Sequence, residues 1–402
     1  MAVRRQGRPA SALSVLPASL PHVDHPRGLS RGSATWLLYV VLSCLSFLLN
    51  GLGAILVPLQ KDLHVDRNEV AFYPTLFAVG LLMVGVVGGK VVGRVGRAVA
   101  LRASIGGMIV GGLLLATSVH ALTLLGALLL GIGGAMLIQV IPALLMELHP
   151  HAPAAAVGEG NGLASAASVL APLAVAGALA IGLGWRSGYL VAPLLMLVIV
   201  LVPAWRIPLP AAVVPAHDAP RTGPTGLLGP WLEVLFSVSV EFCMVFWAAS
   251  AVTEWHHASE GLAPAVASLF LVGMAAGRSL AVPITRRMSN ARLLMLVCVA
   301  VAGAGFALFW SAPVLPLAAV GLAVAGLGVA LLYPTTVSRT IAAWPHAPDR
   351  AAARAALASG VAIGGAPFVL ARLADLTGLR VAYLVVPVLL VALAARTLTA
   401  RA

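Results

Sequence analysis

Runs of roughly 18 to 25 almost uniformly apolar residues follow one another from residue 35 to residue 398, broken by short turns rich in Gly, Pro and Arg. A helix of that length crosses a hydrocarbon core about 30 Å thick. Backbone amides find no water there, so each run is read as a spanning helix. Twelve spans are predicted, at 35–59, 69–93, 98–117, 121–145, 154–180, 187–205, 230–252, 265–286, 293–311, 316–336, 353–374 and 381–398. They divide six and six, which predicts an all-α integral membrane protein with two six-helix bundles, residues 35–205 and 230–398. Residues 1–34, where arginines alternate with prolines, read as a disordered cytoplasmic tail. Residues 206–229, rich in Pro and Gly, read as a cytoplasmic linker.

The second set of spans repeats the first. Leu76-Phe77-x-Val79-Gly80 returns as Leu269-Phe270-x-Val272-Gly273. Gly126-x4-Gly131-x-Gly133-x-Ala135-x-Leu137 returns as Gly321-x4-Gly326-x-Gly328-x-Ala330-x-Leu332. Gly184-x-Arg186-x-x-Tyr189-Leu190-Val191-x-Pro193 returns as Gly378-x-Arg380-x-x-Tyr383-Leu384-Val385-x-Pro387. The offsets, 193, 195 and 194, hold register from the second span of each half to the sixth. An even number of spans per half makes the repeats parallel, related by an axis along the membrane normal, the architecture of carriers with a central substrate site.

Composition closes off the alternatives. With 60% hydrophobic and 9% charged residues and a mean hydropathy of +1.01, a soluble fold is excluded. The net charge of +12 raises the question of nucleic acid, but the arginines sit at span ends and form no patch, so no nucleic-acid partner is expected. About 19 basic residues fall on the side of the N-terminus and about 5 on the other, which predicts a multi-pass protein of the cytoplasmic membrane with both termini in the cytoplasm. Cys44, Cys243 and Cys298 lie inside separate apolar runs, so neither a disulfide framework nor a metal site is expected. Nothing resembles a Walker motif, and no cofactor is expected. The expected partners are the bilayer and a small-molecule substrate, and the chain is expected to act as a monomer.

The turn after the second span reads Gly89-Lys90-Val91-Val92-Gly93-Arg94-Val95-Gly96-Arg97. It resembles the signature loop of the major facilitator superfamily, G-x3-D-[RK]-x-G-[RK], with Gly89, Arg94, Gly96 and Arg97 matching and Gly93 where the pattern has an aspartate. The resemblance implies a conformational-gating role for those four residues and a cavity lined by spans one, four, seven and ten. Drug and proton antiporters of the superfamily carry an arginine where this chain has Ala127 and a Gly-Pro pair where it has Ala171-Pro172, so the match to that branch is partial.

Polar side chains at mid-membrane depth carry the functional weight, because exposure to lipid costs several kcal/mol. On the four implied spans these are Asn50, Gln139, Glu241 and Tyr333, the candidate substrate-binding residues; Gln139 and Tyr333 stand 194 residues apart, at equivalent places in the repeat. Glu241 and Arg278 reach similar depth and are expected to form an exchangeable ion pair coupling transport to protons. Phe242, Phe246 and Trp247 surround Glu241 in sequence and suit an amphipathic substrate. Glu147, His149, His151 and Glu159 read as a solvated cytoplasmic loop, and Trp185, Tyr189 and Tyr383 as anchors at the membrane interface, with Arg186 and Arg380 snorkelling or capping helices. The expected function is secondary active transport of a small organic solute by alternating access, proton-coupled. Drug or metabolite efflux by antiport is the alternative. An integral membrane enzyme lacks the clustered acids and histidines it needs.

Overall fold

A computed structural model of the protein describes residues 31–150, 153–207, 228–288, 290–343 and 348–399. Most of the expected tail, residues 1–30, and most of the expected linker, residues 208–227, lie outside them. Twelve helices among the described residues are long and apolar enough to cross a membrane: α1 Ser33–Leu63, α2 Arg67–Val95, α3 Arg97–Leu115, α4 His120–Leu148, α5 Ala156–Ala180, α6 Gly184–Arg206, α7 Leu228–His256, α8 Leu262–Ser279, α9 Ala291–Ser311, α10 Leu315–Thr340, α11 Arg354–Thr377 and α12 Leu379–Thr399. Several outrun the apolar runs that predicted them. In α1 the helix continues through Gln60, Lys61 and Asp62 to Leu63, because polar side chains in the interface do not interrupt the backbone ladder. Asp66 and Glu69 then start α2 as a capping box, each carboxylate accepting the other's backbone N–H at 3.0 and 3.2 Å.

Proline marks where the helices break. Proline lacks the N–H that would bond the carbonyl four residues back, and its ring crowds that carbonyl. Pro334 accordingly interrupts α10 at Ala330 and Leu331, just before Tyr333. Pro283 ends α8 at Ser279, and residues expected to continue that span form a separate short helix, Ala281–Arg287. Pro193 and Pro387 each act on the tyrosine four residues earlier: Ser187–Val191 is a π-helical turn inside α6, and α12 is broken by a turn at Tyr383 and Leu384.

The repeat in sequence is a repeat in contacts. The Tyr189 hydroxyl donates to the Leu48 carbonyl, and the Tyr383 hydroxyl donates to the Cys243 carbonyl at 3.3 Å. The Arg186 Nε donates to the Ala116 carbonyl at 2.8 Å, and Arg380 Nη2 to the Trp310 carbonyl, 194 positions on, at 2.9 Å. A Cβ placed on Gly131 would lie 2.1 Å from the Phe77 carbonyl oxygen; one on Gly326 would lie 1.9 Å from that of Phe270. The glycine rows therefore let α2 touch α4, and α8 touch α10, backbone to backbone. These contacts also correct one expectation. Trp185, Tyr189 and Tyr383 are not interface anchors: all three are at least 98% buried, and the Trp185 indole donates to Asp62 at 2.7 Å. The two arginines do cap helices, as α3 and α9 end at the carbonyls they bind.

Leu113, Leu183, Val202, Val388 and Val391 are each more than half exposed on the outside of the bundles, where a lipid girdle requires apolar side chains. The bundles meet chiefly through α1 with α7, α2 with α11 and α5 with α8. At the end away from the chain termini they are tied by Lys61 with Glu260, Arg67 with Glu254 at 2.6 Å, and a ring contact between Phe72 and Phe368 with centroids 5.6 Å apart.

Candidate functional site

A cavity of about 800 Å³ lies between the bundles. Its lining residues run from Ser46 to Asn50 on α1, Asn161 to Ser168 on α5, Val238 to Phe242 on α7 and Ala356 to Ile363 on α11, stopping more than three turns short of the tied ends of those helices. The chamber thus occupies the middle of the protein and the half nearer the termini.

Asn50, Gln139, Glu241 and Tyr333 all line it, and so does Arg278. Arg278 Nη2 donates to Glu241 Oε1 at 3.3 Å. The Glu241 side chain is 12% exposed and that of Arg278 is 38% exposed, so the cation is the more accessible partner. Its place is partly explained by local structure: Arg278 sits in the last turn of α8, where unpaired carbonyls favour a positive charge. Its other N–H groups have no hydrogen-bond partner among the described residues. Asn50 donates to the Ser46 carbonyl at 2.9 Å and to Ser168 Oγ at 3.0 Å, which commits both N–H groups and leaves its oxygen for the cavity. The Gln139 amide oxygen rests against Gly88 of α2, whose missing side chain makes room for it. Tyr333 is within electrostatic reach of Glu241 and Arg278 and beside Ser359.

The lining is wider than the four spans expected, for α2, α5, α8 and α11 contribute as well. Asn161, Ser165 and Ser168 were overlooked on α5. Their spacing of four and three places them on one face of a helix otherwise made of small apolar residues, a signal present in the sequence. Around Glu241 only Phe242 reaches the cavity. Phe246 and Trp247 are fully buried in the bundle, the Trp247 indole donating to the Pro367 carbonyl at 3.1 Å.

At the terminal end the acids are partly exposed, as a solvated loop requires, but they are paired, and one of the histidines is buried. Arg97 pairs with Glu147, and Arg31 clasps Glu159 through two bonds of 2.7 and 3.0 Å. His149 is 8% exposed, its ring bonded to the Thr35 hydroxyl at 2.8 Å; His151 lies outside the described residues. In the signature turn Gly96 adopts φ 83° between α2 and α3, a conformation that side chains resist. Gly89 and Arg94 are exposed, with nothing packed where a Gly89 side chain would stand. A second buried pair went unread in the sequence: Arg339 of α10 donates to both oxygens of Glu233 on α7 at 3.0 and 3.2 Å, with Glu233 1% exposed.

Two six-helix halves, sheathed in apolar side chains and enclosing a chamber where a few polar and charged groups face a largely apolar wall, define a multi-pass membrane protein built as a secondary transporter. The chain belongs to the Major Facilitator Superfamily, whose family model matches residues 36–255. No curated protein matches it. Among solved structures, the chain is similar to a bacterial homologue of the human lysosomal transporter Spinster in an inward-facing and occupied conformation, with a TM-score of 0.68 and 16% identity over 92% of this chain and 97% of that one. The unoccupied inward-facing form gives a TM-score of 0.66 and 15% identity over 91% and 96% of the two chains. A mutant of the nucleoside transporter NupG gives 0.71 and 12% identity over 90% and 98%.

Proposed function

We propose that the protein carries a small organic solute across the cytoplasmic membrane by alternating access, coupled to proton movement. In this reading residues 35–205 and 230–398 rock about the chamber as two bodies joined by residues 206–229, and the monomer is the working unit. The excess of arginine at the end holding the termini supports a cytoplasmic position for that end, and in this reading the conformation described is inward-open. Asn50, Gln139, Glu241 and Tyr333 contact the solute, Glu241 and Arg278 couple it to protons, and Gly89, Arg94, Gly96 and Arg97 govern the change of state.

The observation that carries the reading is the ion pair on the cavity wall. A carboxylate and a guanidinium held by one 3.3 Å bond, beside a chamber open to water, can exchange partners with a proton or a solute. Purified protein in liposomes under an imposed pH gradient tests it, with sugars, organic acids, amino acids and dyes offered in turn. Accumulation that follows the gradient in the wild type and loses its pH dependence in Glu241→Gln is expected; unchanged pH dependence in the variant removes the coupling role. Efflux by antiport is favoured by the apolar share of the lining, with Leu49, Leu81, Ile138, Phe242 and Met274 among it. The sign decides: co-transport accumulates solute on the alkaline side, antiport on the acidic side.

A further inference from the structure

Among the described residues, Glu241, Arg278 and Tyr333 are the only titratable side chains lining the cavity, whichever of its eight helices is considered. Glu233 lies eight residues before Glu241, about 12 Å along α7, and is occupied by Arg339. The chamber's charge is therefore set by two groups that differ in kind. A glutamate can be neutralised by a proton, whereas a guanidinium stays charged in any protein environment. With Glu241 ionised the chamber is neutral. Once Glu241 takes a proton, Arg278, 38% exposed on the chamber wall, is left as an uncompensated cation that favours an anionic partner. A neutral solute does not supply one, and a cationic solute adds to the imbalance.

We propose, building on the proton-coupled reading above, that the solute is an organic anion: a small carboxylate with an apolar body and a hydroxyl or amide group at its far end. Its carboxylate binds Arg278 through N–H groups that Glu241 leaves free, in the two-point geometry that guanidinium and carboxylate favour. The proton goes from water to a Glu241 oxygen as that residue gives up Arg278, and returns to water when the anion leaves. Both states of the chamber are neutral, so one proton and one anion cross together without moving net charge. The hydroxyl or amide meets the opposite wall, where the Asn50 oxygen, Gln139 and Asn161 face the cavity from the other bundle. The intervening surface of Leu81, Val84, Ile138 and Leu357 takes the apolar body. A volume of about 800 Å³ suits a molecule of this size.

The test uses full-length protein in liposomes loaded with a pH-sensitive dye, given inward gradients of 4-hydroxyphenylacetate, of 4-hydroxyphenylacetamide and of the corresponding amine, tyramine. The carboxylate is expected to acidify the lumen above the rate of protein-free vesicles, equally with the membrane potential clamped or free, while the amide and the amine do not. Arg278→Gln is expected to reduce the carboxylate signal at least tenfold, and Arg278→Lys, which keeps the charge without the fork, to retain part of it. The melting temperature of each variant separates loss of binding from loss of folding. No carboxylate signal from folded wild-type protein, a signal that depends on membrane potential, or full activity in a folded Arg278→Gln variant overturns the proposal. If instead the amide or the amine is moved in a pH-dependent way, the anion assignment falls while proton-coupled transport stands.

Discussion

The two ion pairs between the bundles give a prediction whose size can be worked out. Lys61 with Glu260 and Arg67 with Glu254 hold the bundles together at the end away from the termini, so under the proposed alternating access Glu254→Gln with Glu260→Gln weakens the conformation described against one open at the tied end. Exposed pairs contribute about 0.2–1 kcal/mol each, giving roughly 0.4–2 kcal/mol together. Three of the four side chains are at least 36% exposed, so solvent screening favours the lower half of that range, a shift of about two- to eightfold in the ratio of the two states. Spin labels on Val119 and Val314 can read it: the two sites are repeat equivalents at the tied end, both 54% exposed, and the native Cys44, Cys243 and Cys298 are buried. The double variant is expected to enlarge the long-distance population, and the difference from wild type is expected to shrink in 1 M salt, where the screening length falls to about 3 Å. Identical distance distributions in wild type and variant, at low salt, refute the reasoning.

Three further outcomes follow from packing and backbone. Gly326→Ala puts a methyl group against the Phe270 carbonyl and is expected to lower stability by about 1–3 kcal/mol, seen as a lower melting temperature in detergent, whereas Gly106→Ala, with open space around it, is not; equal melting of the two contradicts the close-packing account. Glu233→Gln strips a buried charge from Arg339, and breaking such a pair costs about 3–5 kcal/mol, so the folded fraction on size-exclusion chromatography is expected to fall, with Glu233→Leu plus Arg339→Leu recovering much of it. Gly96→Ala forces a side chain into φ 83° and is expected to destabilise by about 1–2 kcal/mol, against no loss for Gly93→Ala, which has a helical backbone and empty space about it.

What the sequence disclosed follows from the solvent. Lipid forces helices of a fixed length, so the twelve spans stand out by hydropathy alone, and Glu241 and Arg278 stand out because a lone charge at that depth has to find a partner. Which face a helix turns inward is another matter. Tyr189 and Tyr383 near the start of a span read the same in one dimension whether they meet headgroups or the core, and only the carbonyls of Leu48 and Cys243 decide. Glu233 escaped notice because it lies close to a helix end, where charge is ordinary; its burial comes from α10, a hundred residues away. The breaks at Pro334 and Pro283 were readable from the carbonyl each proline abandons, and hydropathy windows average over them.

The repeat also shows why the chemistry sits where it does. The contacts that shape the bundles are duplicated, tyrosine for tyrosine, arginine for arginine and glycine for glycine, but the charges of the chamber are not. Carried across by the same offsets, Glu241 corresponds to Ser46 and Arg278 to Gly85, both of which line the cavity from the other half. A pair split between the halves would be pulled apart whenever they separated, leaving Glu241, 12% exposed, as an unpaired and poorly hydrated charge. Keeping both charges on one half would leave the pair intact through the proposed rocking motion, with a proton or a solute to alter it. The ion pairs that do join the halves lie at the surface, where water replaces a lost partner at a cost of about 1 kcal/mol or less. In the proposed cycle rocking and charge exchange are thereby separated in space. Motion acts on the surface pairs, and the pair on the chamber wall is left for the substrate to break.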